Sequence, residues 1–158
     1  MKKLLLAGAL AAVFIPTAYA EEGISFGLKA GLLSIENDND AAINVGGVLS
    51  VGFSGSPIGV EGELNTSVSD GSFNRVVDYS VTQVGVFATV SLPAEQNVNV
   101  KLRLGAMNTS VDPSVGSSDD DTDLAYGVGG NVGALELSWT RSQFYESDVD
   151  FLAIGYNF

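Results

Sequence analysis

The chain has no cysteine and no histidine, and only 7 of its 158 residues are lysine or arginine. Without those two residue types no Ser-His-Asp, Cys-His or Asp-His catalytic set can be assembled, and no His/Cys zinc or haem site is available. Against the few basic residues stand 19 acidic ones, a formal charge of −12. That excludes nucleic acid as a partner, because phosphate neutralisation needs clustered Lys and Arg. Charged residues are scarce overall, 16% against 46% apolar, so the chain is not a disordered acidic tail. Past the N-terminal segment there is no run of 18 apolar residues, hence no transmembrane helix. Glycine, in contrast, is plentiful at 19 residues. A carboxylate site, a binding surface and a structural protein are the classes that remain.

The first twenty residues read as an export signal. Lys2 and Lys3 precede an apolar stretch from Leu4 to Ile15, followed by Pro16, Thr17, Ala18, Tyr19 and Ala20. A basic start, a short apolar core and an Ala-x-Ala ending are the parts of a secretory signal peptide. Twelve apolar residues are too few to cross a bilayer core of ~30 Å as a helix. Residues 1–20 are therefore expected to be cleaved, leaving 21–158 as a single domain. Removing Lys2 and Lys3 leaves five basic residues against nineteen acidic ones, a net of −14. An exported chain without cysteine holds together without disulfides.

The remainder alternates with a period of two, the mark of strands with unlike faces. Ile24, Phe26, Leu28, Ala30 and Leu32 oppose Ser25, Gly27, Lys29 and Gly31. Ile43, Val45, Gly47, Leu49, Val51 and Phe53 form a second segment, and Ile58, Val60 and Leu64 face away from Glu61, Glu63 and Asn65 in a third. Val98, Val100, Leu102, Leu104 and Ala106 oppose Lys101 and Arg103; Leu135, Leu137 and Trp139 oppose Glu136, Ser138 and Thr140. Leu124, Tyr126, Val128 and Val132 form another, and Leu152, Ile154, Tyr156 and Phe158 close the chain. Between Tyr79 and Leu92 the apolar phase changes, from Tyr79 and Val81 to Val84, Val86, Ala88 and Val90, and a bulge or an end outside the membrane is the expected cause. Short links at 54–57, 93–97 and 131–133 alternate with looser acidic ones at 36–41, 69–75, 112–123 and 145–148. The result is eight antiparallel strands with both termini on the tight-turn side. About 17 residues per strand and connection suits a membrane strand of ~9–11 residues; a sixteen-stranded porin does not fit the length.

A two-faced sheet closed on itself has two solutions. A soluble barrel turns its apolar face inward; an outer-membrane barrel turns it to lipid. Three features favour lipid. The minority face is rich in Gly and Ser, and its charges balance: Lys29, Lys101 and Arg103 against Glu61, Glu63 and Glu136. An enclosed interior needs such balance, since an unpaired buried charge costs several kcal/mol, and the six form an expected lumenal ion-pair network. Phe26, Phe53, Tyr79, Tyr126, Trp139 and Tyr156 fall near strand ends on the apolar face, as interfacial girdles do. A one-residue slip would aim Lys101 and Arg103 at lipid, at ~2–4 kcal/mol each near the midplane. Arg141, on Trp139's face near a strand end, either snorkels toward lipid phosphates or meets solvent.

These features, with the ending Phe151-Leu152-Ala153-Ile154-Gly155-Tyr156-Asn157-Phe158, resemble the small eight-stranded outer-membrane barrels of the OmpA/OmpX type over the whole mature chain. The resemblance implies an up-and-down transmembrane barrel with periplasmic termini and the looser loops outside. It also implies that Leu152, Ile154, Tyr156 and Phe158 form the closing-strand signal read by the outer-membrane assembly machinery. Roles in the family range over envelope integrity, adhesion and host interaction. The periplasmic peptidoglycan-binding domain of full-length OmpA is missing, so cell-wall anchoring is not implied. The membrane-barrel acylases and proteases of this kind rely on histidine, which the chain lacks.

Other candidates are plainer. Asp119, Asp120, Asp121 and Asp123, near Asp112, could gather Ca²⁺ or Mg²⁺ through hard oxygen ligands, but they lack the EF-hand spacing and read first as a solvated outer loop; 37–40 reads likewise. Acidic loops beside lipopolysaccharide would share bridging cations. Gly127-Val128-Gly129-Gly130 is no nucleotide loop, since no helix follows. Glu61 and Glu63 could imitate a hydrolase carboxylate pair, but share a face with Lys101 and Arg103. The expectation is a monomeric, non-enzymatic outer-membrane barrel without cofactors, in contact with outer-membrane lipid and lipopolysaccharide and binding no nucleic acid. A soluble periplasmic barrel for a small apolar ligand and a narrow pore are the alternatives.

Overall fold

In the computed structural model, residues 23–36, 40–53, 56–73, 77–95 and 98–158 are described. They form nine strands: β1 (Ile24–Ile35), β2 (Ala42–Gly52), β3 (Ile58–Ser69), β4 (Gly71–Phe73), β5 (Val77–Glu95), β6 (Val98–Pro113), β7 (Asp119–Val132), β8 (Leu135–Phe144) and β9 (Ser147–Asn157). All pairings are antiparallel in the order β3-β2-β1-β9-β8-β7-β6-β5, and β3 pairs with β5 to close the ring. The short β4 continues β3 past Asp70, pairs with the outer end of β5, and is bridged by the Ser72 amide donating to the Asp40 carbonyl at 3.1 Å. The barrel therefore has eight staves, one of them broken in two. The signal segment 1–20 lies outside the described residues.

Two residues on each face fix the sense of the cylinder. Leu104 and Ile154 are 56% and 60% exposed on the outside, whereas Glu61 and Arg103 are 0% and 3% exposed within. The apolar face looks outward. On β5 the outward apolar run from Val84 to Leu92, at ~3.3 Å per residue and a tilt of ~40°, makes a band about 20 Å high, close to the ~25 Å of outer-membrane barrels. At the end carrying the termini the band is edged by aromatic rings. Phe26 stacks on Phe158 at 6.2 Å, and Tyr156 meets Phe158 edge-on at 5.0 Å. At the loop end its edge is mixed. Tyr126 meets Trp139 edge-on at 5.9 Å and Trp139 Nε1 donates to Asp150 at 3.0 Å. Elsewhere the hydroxyls of Thr66 and Thr82 lie 3.0 Å apart, and Asn108 Nδ2 donates to Thr122 Oγ1 at 2.8 Å.

Several expectations need correction. Pairing runs without a shift from Tyr79↔Pro113 to Pro93↔Asn99, so no bulge lies between Tyr79 and Leu92. What changes along β5 is what the interior wants. Tyr79 and Val81 point inward into an apolar cluster with Leu33, Ile35, Ala42, Val111, Val149, Phe151 and Ala153. Tyr79, 1% exposed, is thus not a girdle aromatic. The acidic link 112–123 is mostly strand, since β6 runs to Pro113 and β7 starts at Asp119. The link at 145–148 is a two-residue turn, with Phe144 paired to Ser147 and both Tyr145 (φ 46°) and Glu146 (φ 68°) left-handed. The link at 131–133 reduces to Gly133 and Ala134, Gly133 taking the φ of +59° that a glycine adopts freely.

Candidate functional site: the charged half of the interior

Four strands bring the six inward charges together: β1 supplies Lys29, β3 Glu61 and Glu63, β6 Lys101 and Arg103, and β8 Glu136. Alternation aims all of them at the axis. Arg103 Nη1 donates to Glu61 Oε1 at 2.9 Å and to Glu63 Oε2 at 2.7 Å, while Nη2 reaches Thr140 Oγ1. Its guanidinium carbon lies 5.2 Å from the centre of the Phe87 ring. Lys101 Nζ donates to Glu61 Oε2 at 2.6 Å and to Glu136 Oε2 at 2.8 Å. Lys29 Nζ donates to Glu63 Oε2 at 3.0 Å and lies 3.6 Å from Glu136 Oε1. Three cations share three carboxylates, so each buried charge has at least two opposite neighbours, the condition under which burial is tolerable.

Neutral donors complete the set. Ser50 Oγ donates to Glu61 at 3.2 Å and Asn65 Nδ2 to Glu63 at 3.3 Å. Above lies an amide layer in which Asn44 donates to Asn65 at 2.8 Å and Gln83 to Thr109 at 3.1 Å. Phe87, Met107 and Ala125 pack at the same depth, and the apolar cluster of Leu33, Tyr79 and Phe151 fills the loop end. At the opposite end a cavity of about 460 Å³ opens between the strand ends, with Glu61 and Lys101 among its lining residues.

This arrangement does not suit paired-carboxylate hydrolysis. That chemistry needs one acid held protonated beside an ionised partner. Here Arg103 bonds both Glu61 and Glu63 at once, so both carboxylates are held in ion pairs. The aspartate run is engaged locally. Asp119, Asp121 and Asp123 accept from the backbone amides of Asp120, Thr122 and Leu124 at 3.1, 2.9 and 2.6 Å, on the side of β7 where ladder pairing to β8 has stopped at Tyr126↔Arg141. No group of three or more acidic side chains disposed to share a metal ion occurs among the described residues. Tyr145 ties the β8–β9 turn to this run: its amide donates to Asp121 at 3.0 Å and its hydroxyl to Asp119 at 2.9 Å.

Arg141 neither snorkels alone nor stands free. It makes two hydrogen bonds to Asp150, at 2.8 and 2.7 Å, and a third close contact to Asp148, with its guanidinium against Trp139. Leu152, Ile154, Tyr156 and Phe158 all face outward on or just past β9. Sequence reasoning missed Phe87, Met107 and the apolar loop-end interior. The signal was present: on β9, Val149, Phe151 and Ala153 are apolar in one phase while Leu152, Ile154 and Tyr156 are apolar in the other.

Comparison with known proteins agrees with this geometry. The barrel superposes on Neisserial surface protein A with a TM-score of 0.60, at 15% identity over 86% of this chain and 96% of that one. It superposes on the N-terminal β-barrel domain of Pseudomonas aeruginosa OprF with a TM-score of 0.57, at 14% identity over 85% and 97%. The attachment invasion locus protein Ail of Yersinia pestis gives 0.54 at 21% identity, covering 86% and 97%. No curated protein sequence matches the chain. The family model for the outer membrane protein beta-barrel domain matches residues 4–151. The chain, a closed eight-stave cylinder with its apolar face outward, belongs to this family of outer-membrane barrels.

Proposed function

We propose that the protein is a non-enzymatic structural element of the outer membrane, exported by cleavage after Ala20. In this reading its termini lie in the periplasm and its acidic loop end is exposed outside the cell. One observation carries it. Toward the loop end the outward face turns from apolar to polar, Val68 on β3 excepted, and there the described charges are almost all acidic: Glu36, Asp40, Asp70, Asp78, Asp112, Asp119 and their neighbours, against Arg141. Such a collar stands in water beside the anionic headgroups of lipopolysaccharide, and divalent cations shared between the two would tie protein to lipid. The Yersinia pestis protein Ail is known in complex with the heparin analogue sucrose octasulfate. The collar here has the opposite charge preference, so a polyanion is not carried over as its ligand. The apolar filling of the loop end argues against a steady pore. Leu152, Ile154, Tyr156 and Phe158 are assigned to recognition by the assembly machinery, and the barrel to a monomer.

The orientation has a direct test, since the chain has no cysteine of its own. A cysteine placed at Val115 should react with a membrane-impermeant maleimide on intact cells, and one placed at Gly133 only after lysis. The reverse pattern would invert the topology. Recovery of the unmodified protein in the soluble periplasmic fraction without detergent would remove the membrane reading altogether.

A further inference from the structure

An inward glycine in a barrel strand either makes room for a neighbour's side chain or lets two backbones close up. Four of the inward glycines do the second. A Cβ on Gly31 of β1 would strike the Leu152 carbonyl oxygen and stand 2.7 Å from Ala153 Cα on β9. One on Gly46 of β2 would strike the Leu64 carbonyl oxygen and stand 2.9 Å from Asn65 Cα on β3. One on Gly105 of β6 would strike the Val86 carbonyl oxygen and stand 2.7 Å from Phe87 Cα on β5. One on Gly127 of β7 would lie 2.5 Å from the Trp139 carbonyl oxygen on β8. The obstacle each time is backbone, which no change of rotamer moves aside. Gly129, the next inward position after Gly127, has its nearest neighbours at an ordinary 3.5 Å, and the outward Gly62 and Gly130 have nothing within 4 Å.

The four obey the sheet order. They take the seams β9–β1, β2–β3, β5–β6 and β7–β8, every second seam around the ring. They also share a level. The ladder leaving β1 at Ile24 passes through Val60, Leu104 and Arg141 and returns to β1 at Ser34, so one circuit climbs from position 24 to position 34, ten residues. Against that ladder the glycines fall back by the same amount: Gly46 by two residues from Gly31, Gly105 by four, Gly127 by two, and Gly31 again by two. At ~3.3 Å per residue and a tilt of ~40° they lie within about 4 Å of one height, at the loopward limit of the ion-pair network. We propose that these glycines are the four corners at which the eight-stave sheet bends to close. Four sharp seams then alternate with four gentler ones, where an even cylinder would spread its curvature equally. Two interior side chains use the corners. Phe87 stands directly opposite Gly105, and Arg103 Nε lies 2.9 Å from where a Cβ on Gly127 would be. Closing the sheet and bringing Arg103 to its carboxylates therefore depend on the same residues. Gly23 and Gly59 make comparable backbone approaches, at 2.6 and 2.9 Å, but at the terminal rim and outside this ring.

The test sets alanine at the corners against alanine elsewhere in the full barrel, refolded into detergent micelles. Gly46→Ala, Gly105→Ala and Gly127→Ala should each lower the folded-to-unfolded ratio at a fixed urea concentration by about tenfold or more, the scale of forced overpacking, read from the compact band of unboiled samples. Gly62→Ala and Gly130→Ala should stay within about twofold of the wild type, as substitutions away from any contact do. Closure itself is read across the ring, with cysteines replacing Ala30 and Ile154, which face each other across β1–β9. Their disulfide should form in the otherwise unaltered chain and in Gly62→Ala, and several-fold less in Gly105→Ala, whose own seam is β5–β6. Gly46→Ala takes its place there if Gly105→Ala does not refold, and failure of all three corner variants beside two folded controls meets the first expectation in its strongest form. A corner alanine that folds like the wild type, or equal losses at Gly62 or Gly130, would overturn the proposal. So would an undiminished β1–β9 crosslink in a corner variant whose folded ratio has dropped, since the damage would then be confined to one seam.

Discussion

The two halves of the barrel obey opposite rules. In the terminal-end half the inside is charged and the outside apolar: Lys29, Glu61, Arg103 and Glu136 within, Leu102, Val60, Leu137 and Ile154 without. In the loop-end half the inside is apolar and the outside polar: Leu33, Val81, Val111 and Phe151 within, Thr82, Ser110, Asp148 and Asp150 without. The staves run from one half into the other, β3 through its continuation in β4, with side chains alternating inward and outward in both. Only the surroundings differ, so the height at which the pattern inverts marks where lipid gives way to water. The loop-end half is built like a soluble barrel, with its grease inside; the terminal-end half is its inverse.

The comparison breaks most sharply at Arg103. Arg103→Ala leaves Glu61 and Glu63 short of their shared partner in a sealed interior, which should cost about 4 kcal/mol, as for other buried ion pairs that lose one member. Urea unfolding in lipid vesicles, followed through the single tryptophan, Trp139, measures it. A loss below about 1 kcal/mol would mean that bulk water reaches the carboxylates and that the charged half is not enclosed. The matching change in the other half is Phe151→Ala, a cavity in a packed apolar layer, expected at about 3 kcal/mol. If Phe151→Ala were silent, the loop-end half would not be a packed core and the two-rule description would fail.

How far the sequence discloses this differs between the halves. The terminal-end half is legible because alternation is strict there and only one register keeps Lys101 and Arg103 out of lipid. Closure, strand number and the membership of the ion-pair network all follow from that pattern. The loop-end half is hard to read because the two rules overlap over a few residues. Where both phases are apolar, as at Phe151-Leu152-Ala153-Ile154 or Leu32-Leu33, hydropathy cannot say which face is inside. A change of phase on β5, when the strand is taken alone, leaves a bulge and an end outside the membrane both open. It is fixed as a change of medium when β1, β6 and β9 show it as well, the last outward and first inward apolar residues being Leu32 and Leu33, Ala106 and Val111, Leu152 and Phe151. The aspartate run is opaque for another reason. Nothing in its composition tells a solvated loop from a strand whose unpaired amides are met by its own carboxylates.

The inversion height can be sharpened by moving a charge across it on one strand. Val86→Arg, facing outward mid-band on β5, should cost about 2–4 kcal/mol in vesicles, while Thr82→Arg, four residues toward the loops on the same face, should cost about 0–1 kcal/mol. Equal costs at both positions would place lipid and water elsewhere than the side-chain pattern does.

The smallest effects belong to the β8–β9 turn, at the water-exposed extreme of the loop-end half. Tyr145 and Glu146 both adopt left-handed backbone angles that favour glycine, so Glu146→Gly should stabilise the protein by up to about 1 kcal/mol. What holds the turn against that strain is Tyr145, through Asp119 and Asp121. The hydrogen bond to Asp119, then burial and the neighbouring carboxylate charges, raises the Tyr145 phenol above its ordinary value. A group whose folded value is raised favours folding in its protonated form. The tether is therefore intact below about pH 10, the ordinary tyrosine value, and is lost as pH climbs through the higher folded one. The difference in alkaline absorbance titration between the wild type and Tyr145→Phe isolates this phenol. It should ionise above ~10 in the wild type, and Asp119→Asn should move it back toward that value. A Tyr145 component titrating at or below ~10 would show that the turn does not grip the aspartate run.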